Sequence, residues 1–96
     1  MENQEIKEKI EPVLKKHDVS FAGLFGSRSR GEERVNSDVD LLVKFNNQKG
    51  LLDIVRLEQD LSAILDLEVD VVTEGALSQI LKSEVLKDLQ PLYGQR

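Results

Sequence analysis

Apolar residues recur at helical spacing in three stretches of the chain. Between Gln4 and Lys16 every third or fourth residue is apolar and most others are charged, which predicts an amphipathic helix. Pro12 lies inside this stretch, where it removes a hydrogen bond and marks either a kink or the helix start. The same spacing predicts a second helix from Leu51 to Leu65 and a last helix from Leu77 to Leu89, stopped by Pro91.

Three other stretches are short and rich in β-branched or aromatic residues, which is typical of strands. They are Val19 to Phe25, Asp38 to Val43 and Glu68 to Thr73. A helix joins the second and third of these strands, so the two should pair in parallel with a right-handed crossover. The pattern therefore predicts one α/β domain over residues 1–96, with a small mixed three-stranded sheet and helices packed on it.

Composition narrows the classes of function. The 96 residues include no cysteine, so disulfides and thiolate metal sites are excluded. A net charge of -5 disfavours binding to nucleic acid through phosphate neutralisation. The polar N-terminus does not resemble a targeting peptide, and no apolar run approaches the roughly 18 residues that a bilayer requires. We expect a cytoplasmic protein that makes no membrane contact and has no direct nucleic-acid ligand.

Three aspartates are the strongest candidates for chemistry. Asp38 and Asp40 lie two residues apart on a predicted strand, so their side chains leave the same face, about 7 Å apart along it. Asp70 lies in the neighbouring predicted strand, and in the right register all three carboxylates converge. Oxygen ligands of this kind suit Mg²⁺. The alternatives are a turn-capping role for Asp38 and a solvent-facing position on an edge strand for Asp70.

Gly26 and Ser27 form the second candidate feature, because they directly follow a predicted strand. Backbone N–H groups at such a turn can hold a phosphate, and glycine permits its close approach. A Gly-Ser pair at a strand end is nevertheless also a common ordinary turn. Its meaning depends on which residues lie at a fixed distance after it.

The spacing of Gly26-Ser27, ten residues and then Asp38-Val39-Asp40 resembles the signature of the DNA polymerase beta-like nucleotidyltransferase superfamily. The surrounding segment GLFGSRSRGEERVNSDVDLLVKF is similar to its minimal nucleotidyltransferase branch. That branch usually has alanine at the position of Ser29. The resemblance covers most of the chain and implies the minimal nucleotidyltransferase fold, with Asp70 matching the family's third carboxylate.

The resemblance also implies roles for these residues. Asp38, Asp40 and Asp70 would bind two Mg²⁺ ions, and Asp70 would also take the proton from the attacking hydroxyl. Gly26 and Ser27 would hold the triphosphate of ATP. Arg30 would either contact phosphates or support the loop, and the sequence leaves both open.

The kind of acceptor is also implied by the resemblance. Larger members of the superfamily carry helical acceptor-binding domains, and this chain has no segment for one. Chains of this size resemble antitoxins that transfer AMP to a tyrosine of a helical HEPN-type toxin. The alternatives are a non-catalytic binding module that neutralises its partner by forming a complex, and a small-molecule nucleotidyltransferase completed by a separate acceptor-binding subunit.

Overall fold

The structure is a computed structural model that describes residues 3–25 and 39–95. These residues form three α-helices, a short 3₁₀ turn and four strands. The helices are α1 (Asn3–Lys16), α2 (Leu51–Leu65) and α3 (Gln79–Asp88), with a 3₁₀ turn at Glu74–Ala76, and the strands are β1 (Val19–Phe25), β2 (Val39–Phe45), β3 (Val69–Thr73) and β4 (Gln90–Gly94).

The strands form one mixed sheet in the order β3-β2-β1-β4. β2 and β3 are parallel and joined by α2, which confirms the predicted βαβ unit, whereas β1 runs antiparallel to β2 and β4. The α/β fold class is confirmed. The predicted strand count is wrong, because the described residues form four strands rather than three.

The fourth strand lies where the sequence predicts only the end of a helix. Pro91 does follow α3, but it lies inside β4, which pairs with β1 alone. An edge strand tolerates proline because only one of its sides needs backbone donors. Gly94 has a φ of 71°, and a Cβ built there would lie 1.9 Å from the Ser20 carbonyl oxygen. β4 therefore approaches β1 closely through a glycine.

The main core lies between one face of the sheet and the helices α1 and α2. The buried helix residues keep the predicted spacing, and Pro12 is accommodated inside α1. The side chains of this core are Ile6, Ile10, Leu14, Val19, Ala22, Leu24, Val39, Leu41, Val43, Leu57, Leu61, Leu65, Val69, Val71 and Leu92. Each fully buried aliphatic side chain stabilises the fold by about 1.5–3 kcal/mol. This core fixes which face of each central strand points away from α1 and α2.

The opposite face of the sheet is only partly covered by α3. Val85 is the buried residue of this helix, and Leu89 follows directly after it. A Cβ built on Gly23 of β1 would lie 2.7 Å from Leu89 Cδ1, so Leu89 lies over β1 on this face. None of the helices in the described residues is long and apolar enough to cross a membrane.

Candidate functional site

Asp40 and Asp70 are direct partners in the parallel pairing of β2 with β3. Partner residues on adjacent strands point to the same side, and the strands are about 4.8 Å apart. Asp40 is half-buried and Asp70 is exposed. The structure therefore brings together these two predicted site residues, one on each strand of the βαβ unit.

Alternation along the two strands explains why both carboxylates face away from α1 and α2. Val39 and Leu41 flank Asp40, Val69 and Val71 flank Asp70, and all four flanking residues belong to the core. A slip of one residue would turn the aspartates into that core and the valines out of it. Burial of the apolar neighbours therefore sets the face on which the carboxylates lie.

β1 extends the same row across a third strand. Its last residue, Phe25, is the partner of Asp40. Gly26 and Ser27 are the next two residues of the sequence. The phosphate-binding candidate thus begins directly after the strand position that pairs with the first carboxylate of the row.

Four of the predicted site residues lie outside the described part of the chain. They are Gly26, Ser27, Arg30 and Asp38. Asp38 precedes Asp40 by two residues in the sequence, and the first described residue of β2 is Val39. The proposed roles of these four residues remain predictions.

The two described carboxylates fit a divalent metal by their chemistry. At an effective dielectric constant near 20, two negative charges about 5 Å apart repel each other by roughly 3 kcal/mol. Carboxylate oxygens are the ligands that Mg²⁺ prefers, usually one or two of them together with water and phosphate. Within residues 3–25 and 39–95 no cluster of three or more acidic or histidine side chains could hold a metal. Asp40 and Asp70 are thus a two-carboxylate set.

Two residues of α2 contact the strand that carries Asp70, and the sequence did not suggest them. Glu58 Oε2 accepts a hydrogen bond from the Val71 N–H at 2.8 Å. Ser62 Oγ accepts one from the Val69 N–H at 3.1 Å. Their separation by four residues puts both on one side of α2, but this spacing does not indicate that they contact the backbone of β3.

His17 and Asp18 directly precede β1, at the opposite end of this strand from Phe25. His17 Nε2 is 2.6 Å from Asp60 Oδ2, and this contact lowers the pKa of the Asp60 carboxyl. The pKa of Asp18 is lowered chiefly by hydrogen bonds from the side chains of Asn46 and Asn47. Val19, which follows Asp18, pairs with the last residue of β2, so these groups are remote from Asp40.

Comparisons with known proteins agree with this geometry. The family model described as "Polymerase beta, Nucleotidyltransferase" matches residues 8–96. A protein of Methanocaldococcus jannaschii is 46% identical over 88 residues, which cover 92% of this chain and 95% of that protein. The protein adenylyltransferase MntA of Thermococcus cleftensis is 38% identical over 90 residues, with 85% of this chain and 91% of that protein covered.

Solved structures share the fold. A toxin-antitoxin crystal structure with AMP-PNP contains a chain that matches with a TM-score of 0.82 and 29% identity, covering 94% of this chain and 74% of that chain. A structure of the tri-AMPylated Shewanella oneidensis HEPN toxin with an MNT antitoxin matches with a TM-score of 0.76 and 26% identity, covering 97% and 73%.

Proposed function

This chain belongs to the polymerase beta nucleotidyltransferase family and is a nucleotidyltransferase, and we propose that its substrates are ATP and a tyrosine of a HEPN-type toxin. Transfer of AMP to that tyrosine would silence the toxin, so the chain would act as its antitoxin. The relative from Thermococcus cleftensis named as a protein adenylyltransferase and the toxin-antitoxin structures support this assignment.

The observation that carries the proposal is the row formed by Phe25, Asp40 and Asp70 across three strands. The row places two carboxylates on one side of the sheet. β1 ends at Phe25, directly before Gly26. Nucleotidyl transfer needs carboxylates that bind a metal ion. It also needs groups nearby that bind the phosphates. The row supports the proposal because it brings Asp40 and Asp70 beside the end of β1, the residue directly before Gly26.

The proposed roles follow from charge and position. Asp38, Asp40 and Asp70 would hold Mg²⁺, and Gly26 and Ser27 would hold the triphosphate through backbone N–H groups and a hydroxyl. Bound magnesium would neutralise charge on the phosphate oxygens and orient the α-phosphate. Asp70, the most exposed of the described acids in the row, would accept the phenolic proton as the attacking oxygen approaches.

The reaction balances as a displacement at phosphorus. A bond forms between the tyrosine oxygen and the α-phosphorus, and the bond from that phosphorus to the oxygen bridging the β-phosphate breaks. The leaving group is pyrophosphate, and the phenolic proton goes to the Asp70 carboxylate. Holding the two reactants in line supplies much of the rate in such reactions.

The test is direct transfer to the protein encoded beside this chain. The purified chain, ATP labelled at the α-phosphate and Mg²⁺ should transfer label to a HEPN-type neighbour, and a Tyr-to-Phe substitution at the modified position should remove it. ATP labelled at the γ-phosphate is the matched control and should transfer nothing. Absence of protein labelling with an active toxin and a folded chain would contradict the proposal.

The same experiment separates the two alternatives. A variant in which Asp38, Asp40 and Asp70 are all asparagine should bind the toxin without silencing it. Full protection by this variant would instead identify a binding module that needs no chemistry. Label that appears on a small acceptor, and only with a second subunit present, would identify a small-molecule nucleotidyltransferase.

A further inference from the structure

We infer that Glu58 and Ser62 of α2 are positioning residues for Asp70, a role that rests on the proposed function of the aspartate row. Glu58 holds the backbone of Val71 and Ser62 holds the backbone of Val69. These are the residues on either side of Asp70. The Val71 N–H belongs to the peptide unit directly after Asp70, and the Val69 N–H belongs to the peptide unit that precedes Val69. The two hydrogen bonds therefore hold the backbone before and after the carboxylate-bearing residue.

β3 needs such support because it lies at the edge of the sheet. Among the strands of residues 3–25 and 39–95, β2 alone pairs with it, and along a strand the backbone groups of successive residues point alternately to either side. The Glu68 carbonyl accepts from Val39 N–H of β2 at 2.9 Å, so Val69 and Val71 direct their N–H groups away from β2. Glu58 and Ser62 replace the missing neighbouring strand at these two donors.

The position of Asp70 depends on its backbone more than on packing of its side chain. Asp70 is exposed, whereas Val69 and Val71 are buried against the core. Glu58 and Ser62 lie one helical turn apart on the helix that covers this edge, and both of their hydrogen bonds are partly shielded from water. Movement of the Val69–Val71 backbone would shift the Asp70 carboxylate relative to Asp40.

A purely structural role makes different predictions. In that case Glu58 and Ser62 only satisfy edge donors and prevent pairing with another chain. Their loss would then lower the unfolding temperature and leave the transfer kinetics of the folded enzyme unchanged. The positioning role predicts a change in the chemical step, because a displacement of about 1 Å can reduce a rate by about 100-fold.

The experiment compares Glu58→Ala and Ser62→Ala with the conservative Glu58→Gln, which keeps an acceptor oxygen for Val71. We expect each alanine variant to lower kcat about tenfold with KM for ATP unchanged, and Glu58→Gln to restore kcat to within about twofold. The neighbouring exposed Gln59→Ala is the matched control and should behave like the wild type. All assays run well below the unfolding temperature of every variant.

A second readout does not require turnover. In NMR spectra without ATP, titration with Mg²⁺ should shift the Asp70 amide of the wild type at lower concentrations than in Glu58→Ala. Wild-type kcat and an unchanged Mg²⁺ titration in both alanine variants would overturn the positioning role alone. If the wild type itself transfers no AMP, the proposed function fails, and the Mg²⁺ titration still decides whether Glu58 positions Asp70.

Discussion

Phe25 at the end of β1 pairs with Asp40 on β2, and the same residue of β2 pairs with Asp70 on β3. One backbone row therefore runs through the last residue before Gly26 and through two carboxylates separated by 30 positions in the sequence. The βαβ crossover makes this possible, because it returns the chain in parallel beside β2. The proposed site thus lies where β1 ends and β2 begins.

Asp40→Asn and Asp70→Asn should each reduce AMP transfer by about 100-fold or more, because each removes a carboxylate that we propose holds Mg²⁺ beside the phosphates. The stability of Asp70→Asn should stay within about 0.5 kcal/mol of the wild type, since the side chain is exposed. Asp66→Asn is the control: Asp66 is exposed and left-handed with a φ of 54°, which asparagine adopts readily. Label transfer and urea denaturation measure the two effects. Substantial transfer by Asp40→Asn would argue against the site.

Removal of divalent metal should abolish transfer and leave the fold in place. The core between the sheet, α1 and α2 is apolar, so chelation should not change the far-ultraviolet circular dichroism spectrum. Excess Mg²⁺ should restore transfer by the wild type and not by Asp40→Asn, which serves as the matched control. Transfer that persists at full rate after chelation would exclude a metal role for the aspartate row.

Acid should weaken the turn between α1 and β1 through Asp18. Hydrogen bonds from Asn46 and Asn47 lower the pKa of this carboxyl from its ordinary 3.8, so the folded state favours its charged form. A lowered pKa stabilises the fold above the ordinary value, and this contribution is lost as the pH falls through the folded-state pKa. Urea midpoints of wild type and Asp18→Asn should therefore differ at neutral pH and converge as the pH falls below the ordinary value of 3.8.

The pH measurement on Asp18→Asn has a control variant and one outcome that would contradict it. Glu84→Gln removes a carboxylate from the exposed part of α3, and it controls for the general effect of lowering the net negative charge. The difference in urea midpoint between Glu84→Gln and the wild type should not shrink with falling pH as the difference for Asp18→Asn does. A constant difference between Asp18→Asn and the wild type across the pH range would contradict the proposed linkage.

Gly94→Ala should destabilise the protein by roughly 2 kcal/mol or more. Gly94 has a positive φ, and its Cβ would overlap the Ser20 carbonyl oxygen, so β4 must move away from β1. Gly75→Ala is the matched control, because a Cβ there meets no atom within 4 Å. Chemical denaturation of the two variants gives the comparison. Equal stabilities would show that the close approach of β4 is dispensable.

The predictable part of the fold is the part encoded by local periodicity. β1 and α2 have the predicted bounds, because each is a clear pattern of apolar residues ended by residues of another kind. β4 is not predictable in this way, because Pro91 and Gly94 are typical breakers of helices and strands. Their suitability for an edge strand depends on pairing with β1, which is a tertiary relationship.

The candidate site was predictable to the same extent. The two-residue spacing of Asp38 and Asp40 predicts a shared face but cannot determine the register of β2 against β3. That register makes Asp40 the partner of Asp70, and it is consistent with burial of Val39, Leu41, Val69 and Val71 in one core. Glu58 and Ser62 could not be foreseen, because their hydrogen bonds run from a helix side chain to a strand backbone. No local pattern encodes a contact of that kind.

One face of the sheet packs in the core with α1 and α2, and the other face carries Asp40 and Asp70. Val39 and Leu41 belong to the core and stabilise the domain, whereas Asp40 between them would serve the proposed chemistry. Substitution in β2 should therefore be limited by burial at Val39, Leu41, Leu42 and Val43, and by chemistry at Asp40. Substitutions at the positions of Asp40 and Asp70 can then change the chemistry of the domain without rebuilding the interior that keeps it folded.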